Sequence, residues 1–186
     1  MSEYEGTIHP EQPRWAERIA IRPVEKEDLP GLEWNGELIH FRRLFASVFR
    51  SMKKGKAIMW AAKLEDTDII GQLFVQFNSS RVELADGSTR AYIYGFRIQP
   101  KYRGVGLGTR MMYVAEEDLL RRGFRCVTLN VAQENIDAMR LYERLGYRVV
   151  ALEPGRWSYV DHRGRVQKVN EPSWRMEKQL LSPRSG

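Results

Sequence analysis

The stretch Pro100-Lys101-Tyr102-Arg103-Gly104-Val105-Gly106-Leu107-Gly108-Thr109 constrains this chain more than any other. Before it stands Ala91 to Ile98, a strand-like run rich in aromatic and branched side chains. After it, from about Leu107 to Arg122, Leu107, Met111, Ala115 and Leu119 recur at helical spacing. Pro100 stops the strand, and Arg121-Arg122-Gly123 has the composition of a helix end. Glycines at alternate positions let the backbone turn sharply and come close to a ligand. The unpaired N–H groups of a helix start are anion donors, and the helix dipole adds to them. Arg97, Lys101 and Arg103 place positive charge around the turn, and Arg110 in the first helical turn opposes the dipole unless an anion lies nearby. The pattern reads as a phosphate site or, taken alone, as a tight turn. A Walker-type loop needs lysine followed by serine or threonine, which this turn lacks, and a dinucleotide fingerprint opening at Gly104 needs glycine where Thr109 stands.

The remaining elements are read from periodicity and turn chemistry. Ile19 to Val24 is a first strand, and Asp28-Leu29-Pro30 opens a short helix or turn around Leu32 and Trp34. Leu38, Phe41, Leu44, Phe45, Val48 and Met52 mark a helix ended by Gly55. Ile58 to Leu64 and Asp68 to Phe77 form a hairpin across Glu65-Asp66-Thr67-Asp68. Gly95 inside the Ala91–Ile98 run points to a bulge or a close approach. Cys126 to Val131 is a strand, Asn135 to Leu145 a helix, and Tyr147 to Leu152 a strand. Pro154 to Glu171 reads as a long loop, and Trp174 to Lys178 as a last strand. Residues 1–17 and 180–186 read as flexible tails of a single domain spanning 1–186.

Composition narrows the function classes. The formal charge is +6, from 30 basic and 24 acidic residues, which suits a polyanionic ligand without selecting one. The basic residues gather at the glycine turn instead of forming an aromatic-interleaved stripe, so nucleic acid ranks low. No apolar run is long enough for a membrane span and the N-terminus has no secretion-signal pattern, so a cytoplasmic location and no membrane partner are expected. Cys126 is the one cysteine and lies in an apolar run, the place of a small buried hydrophobe. His9, His40 and His162 lack ligand spacing, so no metal is expected.

A second constellation follows the turn: Asn135-Ile136-Asp137-Ala138-Met139-Arg140-Leu141-Tyr142-Glu143-Arg144-Leu145-Gly146-Tyr147. On a helix Asn135, Ala138 and Tyr142 share one side. By themselves Asn135 reads as an N-cap and Tyr142 as a packed aromatic. Together with the turn they resemble the GNAT superfamily of acyl-CoA N-acyltransferases. Arg103, Gly106 and Gly108 match that family's pyrophosphate motif. Asn135, Ala138, Leu141-Tyr142 and Gly146-Tyr147 match its later segment at the family's spacing. The two motifs cover residues 91 to 147.

The resemblance implies an α/β (α+β) fold: a mixed, mostly antiparallel twisted sheet of about seven strands with helices on both faces. It implies acetyl-CoA as co-substrate, with the pyrophosphate on the backbone of Arg103, Gly104, Val105, Gly106, Leu107 and Gly108, and Thr109 close by. Phe96, Arg97 and Ile98 would run beside the pantetheine arm, with the Ile98 N–H polarising the thioester carbonyl. Asn135 would contact the cofactor from the other side, Ala138 would let the helix approach, and Tyr142 would be the general acid. An acetyl group would pass by direct attack to a primary amine, on a small molecule or a peptide. A homodimer is possible by family analogy. The strand before the turn departs from the family in carrying Tyr92 and Tyr94 but no carboxylate, which leaves the base unassigned and leaves open a non-catalytic acyl-CoA sensor. Glu33, Glu37, Glu83 and Asp86 are the nearest acidic candidates, and a water relay through Tyr94 is an alternative. The acceptor site is expected between the early helices, the 78–90 connection and the 154–171 excursion, with Trp34, Phe41, Trp157 and Tyr159 as candidate lining.

Overall fold

Two strands in the middle of the chain, β2 (Ala57–Leu64) and β3 (Ile69–Gln76), are apolar along almost their whole length and buried on both faces. A strand of that kind sits inside a sheet with helices over it front and back. The computed structural model, which describes residues 14–65 and 68–181, has that arrangement. With β1 (Ile19–Pro23), β4 (Arg90–Ile98), β5 (Cys126–Ala132), β6 (Arg148–Glu153) and β9 (Ser173–Gln179), they form a seven-stranded sheet in the order β1-β2-β3-β4-β5-β9-β6. Every neighbouring pair in it is antiparallel except β4 and β5. The mixed, mostly antiparallel sheet expected from the sequence is therefore the one observed.

Each face has its own helices and core. Helix α1 (Arg42–Lys53) lays Phe45 and Val48 on one face, against Met59, Ala61 and Phe74. A one-turn 3₁₀ segment, Ile39–Phe41, precedes it, and a longer 3₁₀ stretch, Lys26–Gly36, packs beside it. Helices α2 (Leu107–Arg121) and α3 (Ile136–Arg144) cover the other face with Leu107, Met111, Met112, Ala115, Leu119 and Tyr142. Buried polar links fasten the layers. Asp28 accepts from Arg22 at 2.6 and 2.9 Å and from the Glu25 N–H at 2.8 Å, joining the 3₁₀ stretch to β1. Glu116 on α2 accepts from the Tyr147 hydroxyl at 2.8 Å and from Lys178 on β9 at 2.6 Å.

Three sequence expectations change. Residues 154–171 are not a loop: they hold the antiparallel hairpin β7 (Arg156–Val160) and β8 (Val166–Asn170), a sheet of its own. Residues Arg14–Arg18 are not part of a tail but form a 3₁₀ turn that buries Ala16. At the other end Leu180 is buried and its N–H bonds the Arg125 carbonyl at 2.7 Å. The flexible-tail expectation for 1–13 and 182–186 lies outside the described residues, as does His9.

Candidate active site

The site begins where β4 and β5 stop pairing. Their parallel register runs from Arg90↔Cys126 to Ile93↔Leu129 and ends there, while β4 continues to Ile98 and β5 to Ala132. Beyond Ile93 the two strands no longer pair, which leaves a seam along the last residues of β4. A bulge at Gly95 lies just beyond the last paired residue. The register with β3 slips between Gln72 and Phe74, so an extra β4 residue is accommodated. Gly95 has φ +60°, and a Cβ there would lie 2.6 Å from Phe74 Cδ2, so only glycine fits without something moving.

The bulge also reverses the faces. Strict alternation would put Arg97 with Ala91 and Ile93. Instead Phe96 and Ile98 join Ala91 and Ile93 in the core under α2, whereas Arg97 lies over Phe41 on the α1 face, where Tyr94 also packs. The Gln99 N–H donates to Ile70 of β3 at 2.9 Å. Successive N–H groups of a strand point to opposite edges, so those of Ile98 and Phe96 are directed away from β3, toward the seam.

The glycine turn closes the end of this seam. Gly104 (φ +76°) and Gly106 (φ +82°) take left-handed conformations, and Gly106 is the N-cap of α2 with no side chain to cap it. The first intrahelical bond is made by the Arg110 N–H to Gly106 at 3.1 Å, which leaves the N–H groups of Leu107, Gly108 and Thr109 without a helical acceptor. The first turn has no acidic residue. Gly108 lets α2 sit close: a Cβ there would meet Leu141, Ile98 and Phe96 at 3.3 to 3.6 Å. Arg103 is exposed and its Nε donates to the Ile98 carbonyl at 2.8 Å, fixing the turn to the end of β4. Val105 is half-buried against the core.

Two of the cations invoked from the sequence act elsewhere. Arg110 donates to the carbonyls of Ala16 at 2.8 Å and Ile19 at 3.2 Å, so backbone carbonyl dipoles, and not a bound anion, offset its place in the first turn. The Arg97 guanidinium is on the opposite side of the sheet from the turn, 4.8 Å from the Phe41 ring centre. Lys101 lies over the Tyr102 ring at 4.9 Å.

Across the seam, α3 starts at Asn135, whose Oδ1 accepts from the Ala138 N–H at 3.2 Å, an N-cap. Ala138 is half-buried against the core, and Tyr142 is buried at 7% exposure with its ring 5.9 Å from Tyr147. Burial, then the nearby Tyr92, raises the Tyr142 phenol above its ordinary value. Tyr92 is pushed up to about 12, chiefly by burial, with the Asn130 side chain beside its hydroxyl. Tyr94 stacks on Tyr92 at 5.5 Å and is also pushed up to about 12 by burial. All three phenols are therefore protonated at neutral pH.

The acidic candidates are mostly tied up. Glu33 is held by Arg42 at 2.6 and 2.8 Å, and Glu83 by Arg81 at 2.8 Å. Asp86 accepts from the N–H groups of Ser88, Thr89 and Arg90 and from the Thr89 hydroxyl, within its own turn. Glu37 sits at the C-cap of the Lys26–Gly36 stretch. Sequence reasoning passed over Asn130 and Gln72. Asn130 Oδ1 is buried without a partner at the point where β5 leaves β4. Gln72 is fully buried with neither amide atom partnered. Each is a polar residue inside an apolar strand, which was the available signal.

Of the expected acceptor-side aromatics, Phe41, Trp157 and Tyr159 come together. Tyr159 is 4.8 Å from Phe41, Trp157 is 6.4 Å from Phe41 in a stacked pose, and His40 is 4.2 Å from Phe41. The β7–β8 hairpin brings two of these rings over the start of α1. Trp34 is buried and makes no ring contact with them, at a left-handed φ of +48°. Among the described residues no group of histidine, cysteine and carboxylate side chains is placed to hold a metal ion, and no helix is long and apolar enough to cross a membrane.

Comparisons with known proteins bear on this architecture. Residues 19–147 match the family model described as the acetyltransferase (GNAT) family. An uncharacterized N-acetyltransferase of Methanocaldococcus jannaschii, MJ1207, is 40% identical over 143 residues, which cover 68% of this chain and 59% of that protein. The uncharacterized N-acetyltransferase YycN of Bacillus subtilis is 29% identical over 90 residues, covering 48% and 54%. The chain thus matches little more than half the length of these curated relatives. Among solved structures, Arabidopsis thaliana NAA60 in complex with acetyl-CoA superposes with a TM-score of 0.66 at 22% identity, covering 87% of this chain and 98% of that one. Ard1 from Thermoplasma volcanium gives 0.68 at 16% identity, covering 89% and 99%. With the family model spanning β1 through α3, including the seam and the glycine turn, the chain belongs to the GNAT acetyltransferase family.

Proposed function

We propose that this protein is an acetyl-CoA-dependent N-acetyltransferase that works by direct attack of a primary amine on the thioester. The observation that carries the reading is the open β4/β5 seam ending on the uncapped start of α2. In this reading the pyrophosphate rests on the backbone from Arg103 to Gly108 with Thr109 beside it, where free N–H groups and the helix dipole favour an anion. Pantetheine lies along Phe96, Arg97 and Ile98 as an additional strand. Asn135 and Ala138 flank it from α3. The Ile98 N–H donates to the thioester carbonyl as negative charge develops there.

The amine nitrogen attacks the carbonyl carbon, the C–S bond breaks, and the departing thiolate takes the Tyr142 proton. The nitrogen loses its own proton to water held near Tyr94, Tyr92 and Asn130, since the carboxylates at Glu33, Glu83 and Asp86 are engaged elsewhere. The products are an amide and free CoA, with no covalent enzyme intermediate. Cys126 fits that scheme as a buried core thiol that burial pushes up.

Titrating acetyl-CoA into the protein by calorimetry, then assaying CoA release across amine classes, tests the reading. Acetyl-CoA binding with release dependent on one amine class supports it. Tight binding with no transfer to any amine favours a sensor of acyl-CoA, the reading that the missing strand carboxylate leaves open. No binding at all removes both.

A further inference from the structure

Arg97 stands apart from the other arginines. Among the described residues, each remaining arginine either hydrogen-bonds through its guanidinium or is exposed to water. Arg22, Arg90 and Arg175, which are also half-buried, pair with Asp28, Glu177 and Glu153. Arg97 is half-buried and donates to no described residue; its contact is the Phe41 face at 4.8 Å. Glu171 is the carboxylate that acts on it electrostatically, and the two form no ion pair. Its cross-strand partner in the register is Gln72, fully buried, with both amide atoms unpartnered. A withdrawn cation beside an orphaned amide is costly in a folded chain unless something completes it.

The position says what that something is. Phe96 and Ile98 turn their side chains under α2 and their backbone to the seam. Arg97, between them, projects to the opposite face beneath His40, Phe41 and Tyr159. Its charge is thus one residue away from the proposed thioester position but on the side from which an amine would come. We propose that Arg97, backed by Gln72, reads a carboxylate on the acceptor, so that the acetylated amine belongs to an amino-carboxylate and not to a polyamine. This rests on the acetyltransferase reading above. A planar guanidinium lying over the Phe41 ring and bonded to no described residue has N–H groups to offer for a two-point carboxylate contact.

The test uses matched acceptors with the full-length protein and acetyl-CoA. Free amino acids are compared with their α-carboxamides, and peptides beginning with Asp or Glu with those beginning with Asn or Gln; the two arms separate a main-chain carboxylate from a side-chain one. In one arm the carboxylate member is expected to be favoured in kcat/KM by roughly 10- to 150-fold, the range of a charge-assisted hydrogen bond. Arg97→Gln should bring that preference to within about threefold through the acceptor KM and leave the thermal midpoint equal or higher, because an unpaired half-buried charge is removed. Arg97→Lys should keep part of the preference. Neutral members acetylated as well as their carboxylate partners would overturn the inference while leaving the acetyltransferase reading intact. So would a preference that survives in Arg97→Gln, or a lowered midpoint with all amines equally impaired, which marks a structural role. Transfer to no amine at all removes the parent reading and this one with it.

Discussion

Replacing Gly95 by alanine tests whether the bulge builds the seam. Two costs follow from the structure. The residue sits at φ +60°, where a side chain costs about 1–2 kcal/mol. The added Cβ would lie 2.6 Å from Phe74 Cδ2 and 3.0 Å from Cε2, and Phe74 is itself packed edge-on against Phe45 and Tyr94, so the ring cannot swing away freely. Overpacking of that kind costs about 1–3 kcal/mol. Together they give a loss of about 2–5 kcal/mol, which for a chain of this size lowers the thermal midpoint by roughly 5–15 °C. Urea unfolding of the wild type, Gly95→Ala, Phe74→Leu and the double variant measures it. The double variant should recover about 1 kcal/mol or more of the alanine penalty, because the two residues share the clash. The weakened bulge should also raise the Kd for acetyl-CoA. A Gly95→Ala protein within about 0.5 kcal/mol of the wild type, binding acetyl-CoA equally well, would refute the reasoning.

Other consequences are more local. Asp28→Asn leaves Arg22 without its carboxylate at a site where Asp28 is 5% exposed and Arg22 31%, and should cost about 1–3 kcal/mol in urea unfolding. Burial raises the Asp86 carboxyl, but hydrogen bonds from the Thr89 hydroxyl and the Arg90, Ser88 and Thr89 N–H groups outweigh it and hold it well below 3.8. A depressed folded value contributes stability above pH 3.8 that disappears as pH falls through and below it. The stability gap between the wild type and Asp86→Asn, full at pH 6, should therefore shrink on acidification below about pH 4. An unchanged gap at pH 3 would show that the turn does not need the charge.

What the sequence made legible was local. The strand, glycine turn and helix from Ala91 to Arg121 depend on residues next to one another, so periodicity and glycine placement were enough to read them. The Asn135–Tyr147 segment is equally local. Long-range matters were hidden. Arg110 looked like a cation awaiting an anion because its acceptors, Ala16 and Ile19, lie at the far end of the chain. Arg97 was placed by the glycine turn because nothing in Ala91–Ile98 says that a bulge at Gly95 will move it to the other face. The β7–β8 hairpin went unread because its strands are mostly exposed and carry charges, and Pro154 and Gly155 stand just before them, which together resemble loop composition. Asn130 and Gln72 were legible in principle, as amide residues in largely apolar strands, but their meaning depends on which neighbour fails to bond them.

The most direct test of the central claim is a single-turnover measurement on Tyr142→Phe with saturating acetyl-CoA and the best amine from the release screen. Among the described residues the phenol hydroxyl makes no hydrogen bond, so acetyl-CoA affinity should stay within about threefold of the wild type. The transfer step should slow by about 10²- to 10⁴-fold, the usual contribution of a positioned general acid. Equal transfer rates in the two proteins would contradict the account, because the departing thiolate would then be taking its proton from elsewhere.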